Sequence, residues 1–323
     1  MTSAIRTNAL RKVYPPAKGK RSAAPAEGVV ALDALDLAID DGEFFGMLGP
    51  NGAGKTTTIG ILTTRVLPTA GTAVVSGADV VSDSAAVRQR IGVEPQRPNP
   101  DRSLTVLENL VFHASYFGVS NSDATRRANE LLEKFALSEK KDAKVDQLSG
   151  GQQQRLMIAR ALTHDPRVIF LDEPTVGLDP QARLALWEIL RDLHKQGRTI
   201  VMTTHYMEEA DQLCDRLAII DRGKLLALDT PSRLKAQAPG DTIVEVTFDG
   251  DASPVVSAAS AMEGVSQAEA RGSLLRVFSR RAGEIIPMLI DAGDRSHLSV
   301  RDIHLSRPSL ETLFISLTGR KLI

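Results

Sequence analysis

The alternation of apolar and polar positions changes period repeatedly along the chain, and each change marks an element. Ile5 to Val13 reads as an opening strand that ends at Tyr14, and Val30 to Ile39 as a second strand. Asp40-Asp41-Gly42-Glu43 then turns the chain into Phe44 to Leu48, a short continuous apolar run of the kind a strand buried on both faces shows. After a first helix, Ala73 to Val75 and Ile91 to Pro95 predict further strands. Thr105 and Glu108 have the spacing of a capping box ahead of Leu107, Leu110, Val111, Ala114 and Phe117, which share one helical face. A second amphipathic helix carries Ala128, Leu131, Leu132 and Phe135. Val168 to Leu171 is another buried-strand run. Asp179-Pro180 supplies an N-cap and a first helical residue, Gly197 ends that helix, and Thr199 to Thr204 extends again. Leu217 to Ile220 and Leu225 to Leu228 flank Asp221-Arg222-Gly223 as a terminal hairpin. Strands alternating with helices predict a mainly parallel sheet, here with a mostly helical lobe inserted at about 97–165.

Near Ala236 to Gly240 the character changes, which places a domain boundary there: residues 1–238 form one domain and 239–323 a second. The remainder reads strand (Thr242 to Phe248), helix (about Pro254 to Met262), strand (Val265 to Glu269), strand (Ser273 to Phe278), helix (about Ala282 to Ala292), strand (Leu298 to His304). That order is ferredoxin-like, βαββαβ. Pro287 fits poorly inside its helix. A last helix lines up Leu310, Leu313, Phe314 and Leu317 on one face and stops at Gly319, a stripe expected to be core rather than a subunit contact. Nothing in this tail has the spacing of a catalytic site, so packing and association are its expected roles.

Composition narrows the function. The 323 residues exceed one typical domain, and 39 basic against 40 acidic residues argue against a binder of nucleic acid driven by bulk charge. A single cysteine, Cys214, excludes an intrachain disulfide and a zinc cluster and fits a reducing compartment. The opening MTSAIRTNAL lacks an apolar signal core, and no apolar run approaches the roughly 20 residues of a membrane span. A soluble chain is expected, so any work at a membrane requires another polypeptide to cross it. Pro15 to Gly28, rich in Pro, Ala, Gly and Lys, reads as a solvated loop, and its Lys18, Lys20 and Arg21 as a solvated charge run.

The chemistry starts at FFGMLGPNGAGKTT. Gly49, Gly54, Lys55 and Thr56 satisfy G-x-x-x-x-G-K-[ST] between a strand and a helix. Gly49, Gly52 and Gly54 let the backbone from Gly49 through Pro50, Asn51, Gly52, Ala53, Gly54, Lys55 and Thr56 to Thr57 curl, so that successive N–H groups can point into one concavity. The concavity sits at a helix N-terminus, where free amides and the macrodipole favour phosphate. Lys55 can then reach the β- and γ-phosphates of a nucleotide, and Thr56 a Mg²⁺ ion. A glycine-rich turn that binds nothing is the plainer interpretation, but Lys-Thr directly after the last Gly has no purely structural rationale. In LSGGQQQR, Ser149, Gly150 and Gly151 again precede a helix and make a second anion-binding start.

Taken in order, GPNGAGKTT, Gln96, LSGGQ, VIFLDEPTVGLD and His205 resemble the motif set of an ABC transporter ATP-binding subunit, over about Tyr14 to Ser232. The resemblance implies a P-loop NTPase of ABC type, α/β with a mixed sheet core and an inserted helical lobe, followed by the small α+β ferredoxin-like tail. It implies ATP and Mg²⁺ as ligands, with Asp172 on the metal through water, Thr56 opposite, Gln96 touching metal and water, and Glu173 orienting or deprotonating the attacking water. His205 resembles the histidine that contacts the γ-phosphate, and Tyr14 the aromatic that stacks on adenine. By the same resemblance, Ser149, Gly150, Gly151 and Gln152 would complete the site of the opposite subunit, and Asp179 resembles the residue that links the two sites. A homodimer of this subunit with separate integral-membrane permease subunits is therefore expected, peripheral on the inner face of the cell membrane.

The tail, ending in RPSLETLFISLTGRKL, is similar to the daunorubicin-resistance-like group, whose permeases export drugs, lipids or polysaccharides. Two features depart from the pattern: the long Pro15 to Gly28 loop, and Glu94 where an apolar residue is common. A soluble ABC ATPase acting on ribosomes or DNA is the alternative, but it expects fused ATPase units, a coiled-coil insertion or a basic surface. A regulator that binds without hydrolysing expects Glu173 to be replaced. Neither matches.

Overall fold

The computed structural model describes residues 3–15, 28–96, 99–238, 240–306 and 309–319. Most of the Pro15 to Gly28 loop, with Lys18, Lys20 and Arg21, lies outside them. The chain divides into two compact units, one running to Pro231 and one beginning at Ser232.

In the first unit β1 (Ser3–Tyr14) pairs with β2 (Val29–Leu35) and β3 (Ala38–Asp40). The single strand expected over Val30 to Ile39 is thus two. The break has a physical cause: the buried Thr7 hydroxyl donates to the Leu35 carbonyl at 2.9 Å and accepts from the Leu37 N–H at 2.8 Å, replacing the ladder at that point. Next come β4 (Phe44–Leu48), α1 (Lys55–Leu62), β5 (Ala70–Val75), β6 (Ala78–Asp79), α2 (Ser84–Arg90) and β7 (Ile91–Glu94). The helical lobe supplies α3 (Val106–Tyr116), α4 (Asn121–Lys134) and α5 (Gly150–Ala161), followed by β8 (Val168–Asp172), α6 (Pro180–Lys195), β9 (Thr199–Thr204), α7 (Met207–Leu213), β10 (Arg216–Asp221) and β11 (Lys224–Asp229).

A six-stranded sheet in the order β11-β10-β4-β9-β8-β7 is parallel apart from β11. All five residues of β4 and of β8 are buried, as their unbroken apolar runs require. In a parallel sheet the carboxyl ends of the strands share one edge, so β4, β7, β8 and β9 deliver Gly49, Gln96, Glu173 and His205 to the same side. The capping box holds: Thr105 Oγ1 accepts from Glu108 N–H and the Glu108 carboxylate accepts from Thr105 N–H, while Val106 rather than Leu107 is buried behind it.

The chain crosses the division along α8 (Pro231–Gln237). The second unit runs β12 (Thr242–Phe248), α9 (Val256–Ser260), β13 (Val265–Arg271), β14 (Leu274–Ser279), α10 (Ala282–Arg295), β15 (Val300–Ser306) and α11 (Leu310–Thr318). Its antiparallel sheet has the order β13-β14-β12-β15, which is the ferredoxin-like arrangement. Val244, Val246, Phe248, Leu275, Val277, Ile285 and Leu289 form its own core. Helix α10 continues through Pro287, which lies on its exposed face. On α11, Leu310, Leu313 and Phe314 are buried while Leu317 is exposed, so most of the stripe is covered within the chain.

Candidate functional site

The phosphate loop follows β4 and ends at Gly54, whose φ of 108° lies in the region only glycine adopts freely, with a Cβ position 2.7 Å from the Ala31 carbonyl. At Gly49 a Cβ would collide with the Ile220 carbonyl, so side-chain-free backbone is needed there too. No side chain caps α1. Its first amides are left for another acceptor.

Lys55 is buried and donates to the Gly49 and Pro50 carbonyls at 2.6 and 3.2 Å. Its Nζ also stands 3.2 Å from Glu173 Oε1, with the two side chains only 4% and 6% exposed. Gln96 Nε2 donates to Glu173 Oε2 at 3.2 Å, and His205 Nδ1 lies 3.5 Å from Glu173 Oε1. Three residues far apart in sequence thus meet at one carboxylate. The Glu173 backbone is left-handed, φ 57°, which a residue with a Cβ adopts only when its surroundings impose it. Thr203 is what imposes it: its hydroxyl and carbonyl both accept from the Glu173 N–H, at 2.9 and 3.2 Å.

Asp172, one residue earlier, is nearly buried and accepts from Thr203 Oγ1 at 2.6 Å and from Thr56 Oγ1 at 3.4 Å. Burial raises its pKa, the Glu173 charge adds to that, and the Thr203 and Thr56 hydroxyls with Lys55 oppose it. A cavity of about 530 Å³ opens here, lined by Thr56, Gln96, Asn99, Arg160 and Asp172 among others.

Ser149 caps α5 as a full box: its hydroxyl accepts from Gln152 N–H at 3.3 Å and the Gln152 side chain accepts from Ser149 N–H at 2.9 Å. Asp179 caps α6 through Ala182 N–H at 2.8 Å. A Cβ on Gly151 would lie 3.1 Å from that of Ala182, so the two helix starts are neighbours. None of these residues shares a hydrogen bond with the Glu173 cluster. Tyr14 is also outside it, half exposed at the end of β1 with Lys12 Nζ 5.0 Å from its ring centre.

The sequence reading did not pick out Thr203 or Glu209. Glu209 is buried on α7, where its carboxylate accepts from Thr204 Oγ1 at 2.6 Å and from Trp187 Nε1 at 3.2 Å. Thr204 Oγ1 in turn accepts from Tyr206 N–H at 2.9 Å, which fixes the turn that carries His205. The only sequence signal was an acidic residue one helical turn past a strand-end histidine.

Residues 32–176 match the family model for the ABC transporter domain. The chain is 40% identical over 294 residues to the Nod factor export ATP-binding protein I of Cupriavidus metallidurans, covering 91% of this chain and 94% of that one. This chain belongs to the ABC transporter ATP-binding family. It is also 40% identical over 324 residues to the doxorubicin resistance ATP-binding protein DrrA of Mycobacterium tuberculosis, covering 98% of this chain and 93% of the relative. A dimeric ATP-binding cassette solved in a post-hydrolysis state bound to ADP and Pi superimposes with a TM-score of 0.63 at 29% identity, covering 70% of this chain and 98% of the cassette. The ABC protein described here is accordingly a nucleotide-using ATPase with the fold that its motif order implied. Among its described residues no helix is long and apolar enough to cross a membrane.

Proposed function

We propose that this ABC ATPase energises export through a separate membrane permease, working as a homodimer in which each ATP lies between the phosphate loop of one copy and the Ser149 helix start of the other. The convergence of Lys55, Gln96 and His205 on the Glu173 carboxylate carries this reading. A carboxylate held by the phosphate-loop lysine stands where it can orient the attacking water, and its imposed backbone fixes the direction. Lys55 and the uncapped α1 amides bind the β- and γ-phosphates. His205 contacts the γ-phosphate, and Tyr14 stacks on the base.

The residues present suit Mg²⁺. Thr56 Oγ1 and Asp172 Oδ1 converge to 3.4 Å, an all-oxygen pair of the kind a hard cation takes. When bound, Mg²⁺ supplies neutralisation of phosphate charge; Thr56, Asp172 and Gln96 would hold it, directly or through water.

The export assignment is supported by the near-full-length similarity to ATP-binding proteins named for Nod factor export and doxorubicin resistance. The cargo is read as a drug, lipid or polysaccharide. The ferredoxin-like tail is read as a regulatory or assembly domain, and the protein as peripheral on the inner face of the membrane.

Glu173→Gln tests the central claim. It should retain ATP binding, cut turnover roughly 10²–10⁴-fold and dimerise in ATP more readily than the parent. Near-parental hydrolysis would remove Glu173 from the reaction. Copurification of a permease, followed by lipid and drug profiling, tests the coupling to export.

A further inference from the structure

Gln96 lies between two residues that one helix holds. On its N-terminal side is Glu94, the last residue of β7, whose Oε1 accepts from Gln154 Nε2 at 3.1 Å. On its C-terminal side is Asn99, whose backbone carbonyl accepts from Arg160 Nη1 at 2.9 Å and whose side-chain oxygen accepts from Nη2. Gln154 and Arg160 both belong to α5, the helix that Ser149 caps.

Glu94 is an expensive residue to keep at this place. It pairs with Leu171 on the edge strand of the parallel sheet, yet is only 1% exposed, and its Oε2 is buried with no hydrogen-bond partner among the described residues. An apolar side chain would pack there at lower cost. What the carboxyl gains in exchange is a directional bond to α5.

We propose that Glu94 and Arg160 are positioning residues for ATP hydrolysis: α5 clamps the Gln96 segment on both sides, so a displacement of the Ser149 helix start is delivered to Gln96 and through it to Glu173. The reading rests on the role given to Glu173 above. The mechanical path is short. Only Pro95 separates the Gln154 contact at Glu94 from Gln96, and Gln96 Nε2 reaches Glu173 Oε2 at 3.2 Å. Neither hydrogen-bonded arm ends on the phosphate loop, so the clamp is expected to govern turnover rather than nucleotide affinity.

Steady-state hydrolysis and ATP titration on the full chain test this. Glu94→Val should lower kcat about ten- to hundredfold, with the Kd for ATP unchanged, as displacement of a reacting group does. Glu94→Gln keeps an acceptor for Gln154 and should recover most of the loss. The pair Glu94→Val with Gln154→Leu removes both partners of that side-chain bond together, so it should fold well and still show the low kcat. Arg160→Ala should act in the same direction. The deciding measurement is the cycle with Gln96→Ala: in that background Glu94→Val should cost nothing further. Parental kcat in the Glu94→Val, Gln154→Leu pair, or losses that multiply with Gln96→Ala, would overturn the clamp. Glu173→Gln run alongside separates the two claims. If it hydrolyses normally, the role of Glu173 fails; if it is dead while the cycle is multiplicative, only the clamp fails.

Discussion

Two glycine-rich helix starts in this chain obey the same physics to different ends. At Gly54 no side chain caps α1, and Lys55 and Thr56 point to Asp172 and Glu173. At Ser149 the start of α5 is closed by its own capping box, with Ser149 and Gly150 exposed. Both ends carry the partial positive charge of a helix N-terminus. The first is wired to the carboxylates of its own chain. The second presents a sealed, outward-facing turn, suited to meeting a nucleotide held elsewhere. Amides alone do not make a hydrolytic site; the side chains that follow the last glycine do.

The sharpest way to break this contrast is to remove each start in turn. Lys55→Ala deletes a buried charge from the phosphate loop and should weaken ATP binding by roughly 2–5 kcal/mol in a direct titration. Ser149→Ala should leave ATP binding by dilute protein unaltered. It should suppress the steep dependence of hydrolysis on protein concentration, and mixing the two variants should partly restore activity. If Ser149→Ala weakens binding as much as Lys55→Ala, the two starts serve the same nucleotide and the contrast is wrong.

A smaller effect is expected at Tyr14. Stacking on the base is worth about 1–3 kcal/mol, so Tyr14→Ala should raise the Kd for ATP some five- to hundredfold, with Tyr14→Phe nearly silent. Unchanged affinity would return Tyr14 to packing against β2 and leave Lys55 as the chief contributor at the first start.

Acid should act mainly on the lobe that carries the second start. His113 on α3 is held neutral, its pKa pushed down to about 4 by burial first, then by the Arg160 and His164 charges; burial lowers His164 too. An unfolded chain takes up the His113 proton near 6.5. Between about 6.5 and 4 the unfolded state therefore binds more protons, and stability falls as pH drops through that window. Hydrogen exchange should show α5 amides opening before those of α1, and His113→Gln should flatten the dependence. Equal opening of both helices would mean that the lobe and the sheet unfold as one unit.

What was legible in the sequence follows from which interactions are local. The β4 and β8 runs, the Thr105 box and the Asp179 cap depend on neighbours within a few residues, so spacing reveals them. The Thr7 jog between β2 and β3 was not readable, because a hydroxyl 28 residues away from Leu35 decides it. Thr203 was missed for the same reason, since it acts on Glu173, 30 positions upstream, and Glu209 because its Trp187 partner lies 22 positions upstream even though Thr204 is near in sequence. Glu94 stood out as odd, but its partner Gln154 lies 60 positions downstream and nothing in the spacing couples them.

The buried Trp187 is the only tryptophan in the chain. Its indole N–H ends on Glu209, which also holds Thr204, the residue before His205. Every ultraviolet-excited indole photon from this protein therefore originates two hydrogen bonds from that turn. Emission wavelength and lifetime, both sensitive to the polarity and hydrogen bonding of the ring, give a label-free optical readout of the histidine turn during turnover, with no second fluorophore of the same kind to subtract.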